Sequence, residues 1–182
     1  GFEGASPARA LFGQEHMTFA EQSGEGILTS LSAGGVVPIV YDQPLLSDFA
    51  LEVDVRLAQT QPGSSAGVIF RSDDAAGGLD FYYHFSFQPA AGQVKLEVWK
   101  DGRWSTLTSS PIPVGVVVAG AIDRLRVEAD GDDLRLFVNG TRVLDASDTS
   151  LTAPGIIGLS LIADAIPATV YFDNLRIEAL DE

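Results

Sequence analysis

The chain has 182 residues with 11 basic and 25 acidic side chains, a net charge of −14, and no cysteine. That balance repels phosphate backbones and anionic lipid surfaces, which argues against nucleic acid and direct membrane insertion. The missing thiols exclude disulfides, thiolate metal sites and cysteine catalysis. Hydrophobic residues make up 46% of the chain, enough to bury a core, and the length suits one all-β domain over residues 1–182. No apolar run is long enough for a transmembrane helix. No signal peptide opens the chain, and its start at Gly1 reads as a piece cut from a longer protein, with any leader or anchor outside it.

Helical periodicity is nearly absent and period-two alternation recurs. Two short strands open the chain, Ile27–Leu31 and Val36–Tyr41, and Pro38 in the second suggests an edge position. Phe49, Leu51, Val53, Val55 and Leu57 then alternate with polar neighbours, and Ser65–Arg71 follows a Gly-Ser loop. Leu79, Phe81, Tyr83, Phe85 and Phe87 alternate with Asp80, Tyr82, His84 and Ser86; Val94, Leu96 and Val98 alternate with Lys95, Glu97 and Trp99. Asp101-Gly102 predicts a tight hairpin, and Asn139-Gly140 predicts another between Leu134–Val138 and the next strand. Leu125–Ala129, Ile156–Ile162 and Thr169–Ile177 complete about twelve strands, which means a sandwich or a barrel.

The order Phe49–Arg56, Ser65–Arg71, Phe81–Phe85, then Asp123–Val127, Leu134–Gly140, Gly155–Leu159 and Val170–Leu175 resembles the concanavalin A-like lectin/glucanase superfamily, nearest to its laminin-G-like branch. The resemblance covers roughly residues 45–180, leaving residues 1–44 as strands that complete the sandwich. It implies a two-sheet antiparallel β-sandwich, a jelly roll. It also implies a bacterial extracytoplasmic setting, secreted or at the cell surface, with the domain tethered in a larger protein. The fold hosts lectins, carbohydrate-binding modules, glycosidases and protein-binding domains alike. The leading expectation is a non-catalytic module that binds a glycan or surface polysaccharide on the concave sheet. The alternatives are a glycoside hydrolase acting on a 3-keto sugar, since Gly67–Arg71 resembles that branch too, and a protein-interaction or sensory ectodomain.

The alternation places one set of side chains outward on what is expected to be a single sheet over residues 49–99. The candidate ligand residues are Asp54, Arg71, Tyr82, His84, Glu97 and Trp99, with Arg71 and Tyr82 expected to meet on neighbouring strands. Aromatic rings cover the C–H face of a sugar, and charged groups bond its hydroxyls. The plainer reading is a solvated sheet with cross-strand pairs.

No catalytic residues are assigned. A glycosidase needs two carboxylates about 5–10 Å apart. Glucanases of the superfamily carry Glu-x-Asp-x-x-Glu on one strand, whereas Glu52-Val53-Asp54-Val55-Arg56-Leu57 has Leu57 in the last position. Trp104 reads as a packing residue at the sheet edge, its phase undetermined. Similar jelly-roll families hold a structural calcium between an early acidic residue and a late aspartate, which implies Glu3 and Asp173 here. The simpler reading makes Asp173-Asn174 a bulge or turn.

Overall fold

The computed structural model describes residues 7–11, 13–58, 63–73 and 79–180. The alternating segments form fourteen strands. In chain order they are β1 (Ala8–Ala10), β2 (Met17–Gln22), β3 (Glu25–Ser30), β4 (Val36–Leu46), β5 (Phe49–Leu57), β6 (Ser65–Ser72) and β7 (Tyr82–Gln88). Then come β8 (Gln93–Lys100), β9 (Arg103–Pro111), β10 (Asp123–Asp130), β11 (Asp133–Val138), β12 (Thr141–Ser147), β13 (Gly155–Ile162) and β14 (Ala168–Ala179). One single-turn 3-10 helix, Pro89–Ala91, links β7 to β8.

The strands make two seven-stranded antiparallel sheets. The first runs β12-β11-β10-β5-β14-β3-β2 and the second β1-β4-β13-β6-β7-β8-β9. This is the expected sandwich, with β1 and β2 added to the strands read from the sequence. The turns follow their residues. Asp101 and Gly102 both have positive φ (54° and 73°), as do Asn139 and Gly140 (51° and 77°), the conformation of the tight hairpin turns expected there. Pro38 lies on β4, which β1 covers only over Ile39–Tyr41.

Alternation also sets the core. Leu51, Val53 and Val55 of β5 face Val68 and Phe70 of β6, Tyr83 and Phe85 of β7 and Leu96 of β8, all of them 0–1% exposed. Phe70 stacks on Tyr83 at 5.2 Å and meets Phe49 edge-on at 5.8 Å, joining the two sheets. Burying one such ring stabilises the fold by about 1.5–3 kcal/mol.

Two expectations need correction. Residues 49–99 do not share a sheet. β5 lies between β10 and β14 in the first sheet, while β6, β7 and β8 lie side by side in the second. The chain crosses the sandwich after Leu57, and alternation reports in against out without saying which sheet a strand joins. Asp54 therefore stands on the opposite outer face from Tyr82.

The second correction is Arg71. Its phase from Ile69 points outward, but β6 bulges there. Ile69 pairs with Gly158 and Ser72 with Ile156, so Phe70 and Arg71 together oppose Ile157, and Arg71 takes φ 49°. A bulge re-aims the side chain that follows it. The Arg71 side chain is fully buried. It donates to the carbonyls of Ser47 (2.8 Å), Leu151 (3.2 Å) and Gly131 (2.7 Å), with Asp48 Oδ1 at 3.4 Å. Arg71 is an internal clamp between the sheets and does not meet Tyr82 on the outer face.

Candidate functional site

Tyr82, Glu97 and Trp99 come together as the alternation predicts. Antiparallel pairing sets Tyr82 opposite Trp99 and His84 opposite Glu97, so all four share the outer face of the second sheet. The Asp101-Gly102 turn folds β9 back with Trp99 opposite Trp104, which brings Trp104 onto the same face. Its ring centroid is 5.3 Å from that of Trp99, tilted 56°, and 5.5 Å from that of Tyr82 at 85°. The three rings form a corner, with Trp104 inclined to both of the others.

That corner is one bank of a cleft of about 390 Å³. Tyr82, Glu97, Trp99 and Trp104 line one side; Gly34, Gly35, Val36 and Ile162 line the other. Trp104 is 40% exposed and Tyr82 only 7%. Burial, and secondarily the Glu97 charge, push the Tyr82 phenol well above its usual range, so it stays a neutral hydroxyl. Glu97 Oε1 accepts from Thr106 Oγ1 at 3.1 Å.

His84 is on this face but sunk beneath it. It is fully buried, its ring 5.9 Å from Trp104, and its Nε2 lies 2.9 Å from Ser160 Oγ. Burial pushes its pKa down to about 4, so the ring is neutral near pH 7. It leans over Gly67, where a Cβ would overlap the imidazole and stand 2.7 Å from Ser160 Oγ. His84 Nδ1 is buried with no hydrogen-bond partner among the described residues. His84 is part of the floor on which Trp104 rests and is out of reach of a ligand in the cleft as it stands.

The remaining predicted residues lie elsewhere. Asp54, on the first sheet, accepts from Arg124 Nε at 2.7 Å and Nη2 at 3.0 Å and from Asn174 Nδ2 at 2.9 Å. The Arg124 hydrogen bond holds its carboxyl below the usual range. Glu52 is bound to Arg126 at 2.7 Å. These two carboxylates are pairing groups of a charged sheet. Asp173 sits at a bulge in β14, where pairing with β5 slips between Asp173 and Arg176 and Asn174 takes φ 52°. Glu3 lies outside the described residues. Among the described residues, no group of three or more His, Asp or Glu is placed to hold a metal ion.

The family whose sequence profile matches residues 8–178 is described as a 3-keto-alpha-glucoside-1,2-lyase-like domain. This chain belongs to that family. No curated protein matches it by sequence. Solved structures resemble it closely in fold. The carbohydrate-binding module CBM66 from Bacillus subtilis superposes with a TM-score of 0.77 at 22% identity, covering 98% of this chain and all of that one. The Bacillus licheniformis beta-glucanase gives 0.72 at 13% identity, over 98% and 94% of the two chains. The VIP36 exoplasmic/lumenal domain in its Ca2+/Man3GlcNAc-bound form gives 0.68 at 14%, over 92% and 83%. At these identities the likeness shows the fold, which is the concanavalin A-like jelly roll.

Proposed function

We propose that the domain binds carbohydrate in the Tyr82–Glu97–Trp99–Trp104 cleft and does not hydrolyse it. One observation carries this reading. Three aromatic rings and one carboxylate, none of them in an ion pair among the described residues, converge on a single cleft. The rings supply surface for sugar C–H groups, Glu97 accepts from hydroxyls, and the neutral Tyr82 hydroxyl offers both a donor and an acceptor. The fold's company supports it, since CBM66 is a carbohydrate-binding module and VIP36 is in a Man3GlcNAc-bound form. Because the rings stand at 56° and 85°, they suit a single soluble chain and not the flat face of a crystalline polysaccharide. A net charge of −14 favours neutral glycans over acidic ones. In this reading the domain works outside the cytoplasm as a module of a longer protein. A glycan array of neutral, acidic and branched oligosaccharides tests it: retention of neutral glycans, lost in Trp99→Ala and Trp104→Ala, supports the reading. Unchanged binding in both variants removes the cleft.

A second reading follows from the family's name. Glu97 is the one carboxylate among the described residues lining the cleft, too few for a glycosidase but enough for a lyase. In a 3-keto-α-glucoside the ketone acidifies the C2–H. A base takes that proton, the electron pair forms the C1=C2 bond, and the aglycone leaves C1 with its bonding pair. Glu97 would be the base. Incubation with a 3-keto disaccharide decides this: an enone absorbance that Glu97→Gln abolishes supports the lyase, and none contradicts it. The resemblance also implies calcium at Asp173. A melting midpoint lowered by chelator supports that tie, and an unchanged one removes it.

A further inference from the structure

The sandwich holds another cavity, at the far end of β7 from the cleft. It measures about 320 Å³ and lies under the β9–β10 loop. Its walls are apolar: Leu57, Phe87, Ile112 and Val117, with Val114 and Val118 exposed at the rim. The loop and its flanks, Pro111–Ile122, carry no charged residue in a chain of net charge −14. Asn139 pins the loop in place. Its Nδ2 donates to Val116 O at 2.7 Å and to Asp123 Oδ1 at 2.8 Å, and its Oδ1 accepts from Arg124 N at 2.7 Å. A cavity of this size with one placed polar group is at the lower end of the range for small-molecule sites.

Asp123 is that group. It lines the cavity and is 4% exposed. Four carboxylates less buried than Asp123 meet an arginine: Asp48 with Arg71, Asp54 with Arg124, Glu52 with Arg126 and Glu25 with Arg56. Asp123 is more buried than any of these, yet among the described residues no cation reaches it. Among the described residues its side-chain partner is the neutral Asn139 amide. Burial raises its carboxyl above the usual range, partly offset by that amide. A buried carboxylate without a counter-charge is costly unless something supplies one.

We propose that this cavity is a second binding site, for a small apolar ammonium ion whose charged head pairs with Asp123 and whose body lies against Leu57, Phe87 and Val117. The site is separate from the carbohydrate cleft, and neither proposal depends on the other.

Benzylammonium is the probe, titrated into the whole domain and followed by backbone amide shifts, with benzyl alcohol as its uncharged match. Saturable shifts confined to the cavity lining (Leu57, Phe87 and Ile112–Asp123) and Asn139 are expected, with the alcohol about tenfold weaker or more. The probe stays protonated across the range, so lowering the pH from about 7 to about 4 weakens its binding as Asp123 is neutralised. Asp123→Asn weakens it about tenfold as well. Should that variant fail to fold, the pH series on the unaltered domain decides. Absence of saturable shifts in the loop, equal binding of the alcohol, or binding indifferent to pH would overturn the proposal.

Discussion

The two outer faces of the sandwich are built from the same alternation and present opposite surfaces. On the first sheet, outward arginines answer outward acids within and between strands. Arg124 pairs with Asp54, Arg126 with Glu52 and Glu128, Arg135 with Asp133, and Arg56 with Glu25 while its guanidinium stacks 3.8 Å over Tyr171. Every such group is satisfied within the sheet. On the second sheet, Ile69, His84, Ser86 and Ser160 point outward yet are 0–1% exposed, and above them the Tyr82–Trp99–Trp104 corner stays open. A face whose polar groups are already paired has little to offer a ligand. One that leaves rings, a hydroxyl and a carboxylate around a cleft does.

The largest expected effect concerns the clamp between the faces. Arg71→Ala leaves the carbonyls of Ser47, Gly131 and Leu151 and the Asp48 carboxylate without their donor, and should cost about 3–5 kcal/mol in urea unfolding. Arg126→Ala on the solvated face should cost about 1 kcal/mol or less. Equal costs would dissolve the distinction between clamp and surface pair.

The next effect is pH-dependent. His84 has its pKa depressed to about 4 in the folded chain, against about 6.5 unfolded. Between those values the unfolded state binds more protons, so stability falls as pH drops from about 6.5 to about 4, by roughly 3 kcal/mol from this residue alone. Below about 4 its contribution is flat. Urea titrations across that window, repeated with His84→Gln, should show the slope and then its reduction. An unchanged slope would mean that the ring is not held neutral in this floor.

A smaller effect is expected at Gly67. A methyl there overlaps His84 and crowds Ser160 Oγ and the Phe85 carbonyl at 2.7 Å, so Gly67→Ala should destabilise the fold by about 1–3 kcal/mol, read from the urea midpoint. It should also loosen Trp104, seen as altered tryptophan fluorescence. A neutral substitution would mean that the floor is more pliable than the packing implies.

Much of this was legible in the sequence. The inward set of β5, β8, β10 and β11 followed from alternation, as did that of β7 from Tyr83 on, whereas Leu79 and Phe81 precede the strand and Phe81 is exposed; both hairpin turns followed from Asp-Gly and Asn-Gly pairs. β2 was missed because Met17–Gln22 shows one strongly buried residue, Met17, and no clean alternation. The Ser23-Gly24 turn, with φ 56° and 86°, was its one local signal. Trp104 was legible in principle: a two-residue turn at Asp101-Gly102 fixes the register and must face it against Trp99. Arg71 was not, because a bulge changes phase without any glycine or proline to mark it. Asp54 was misplaced because no local pattern tells which sheet a strand joins. Asp123 drew no attention as a site residue, since its burial depends on a loop that only the fold closes over it.

The central claim is that ligand binding belongs to the second sheet's face. Calorimetric titration of the tightest neutral glycan into the unaltered domain, Trp104→Ala and Arg126→Ala tests it most directly. Trp104 is on an edge strand and 40% exposed, so its truncation should leave the fold intact. A loss of about 2 kcal/mol in binding, roughly thirtyfold, is expected for Trp104→Ala and no change for Arg126→Ala. Full affinity in Trp104→Ala, or a loss in Arg126→Ala, would contradict it.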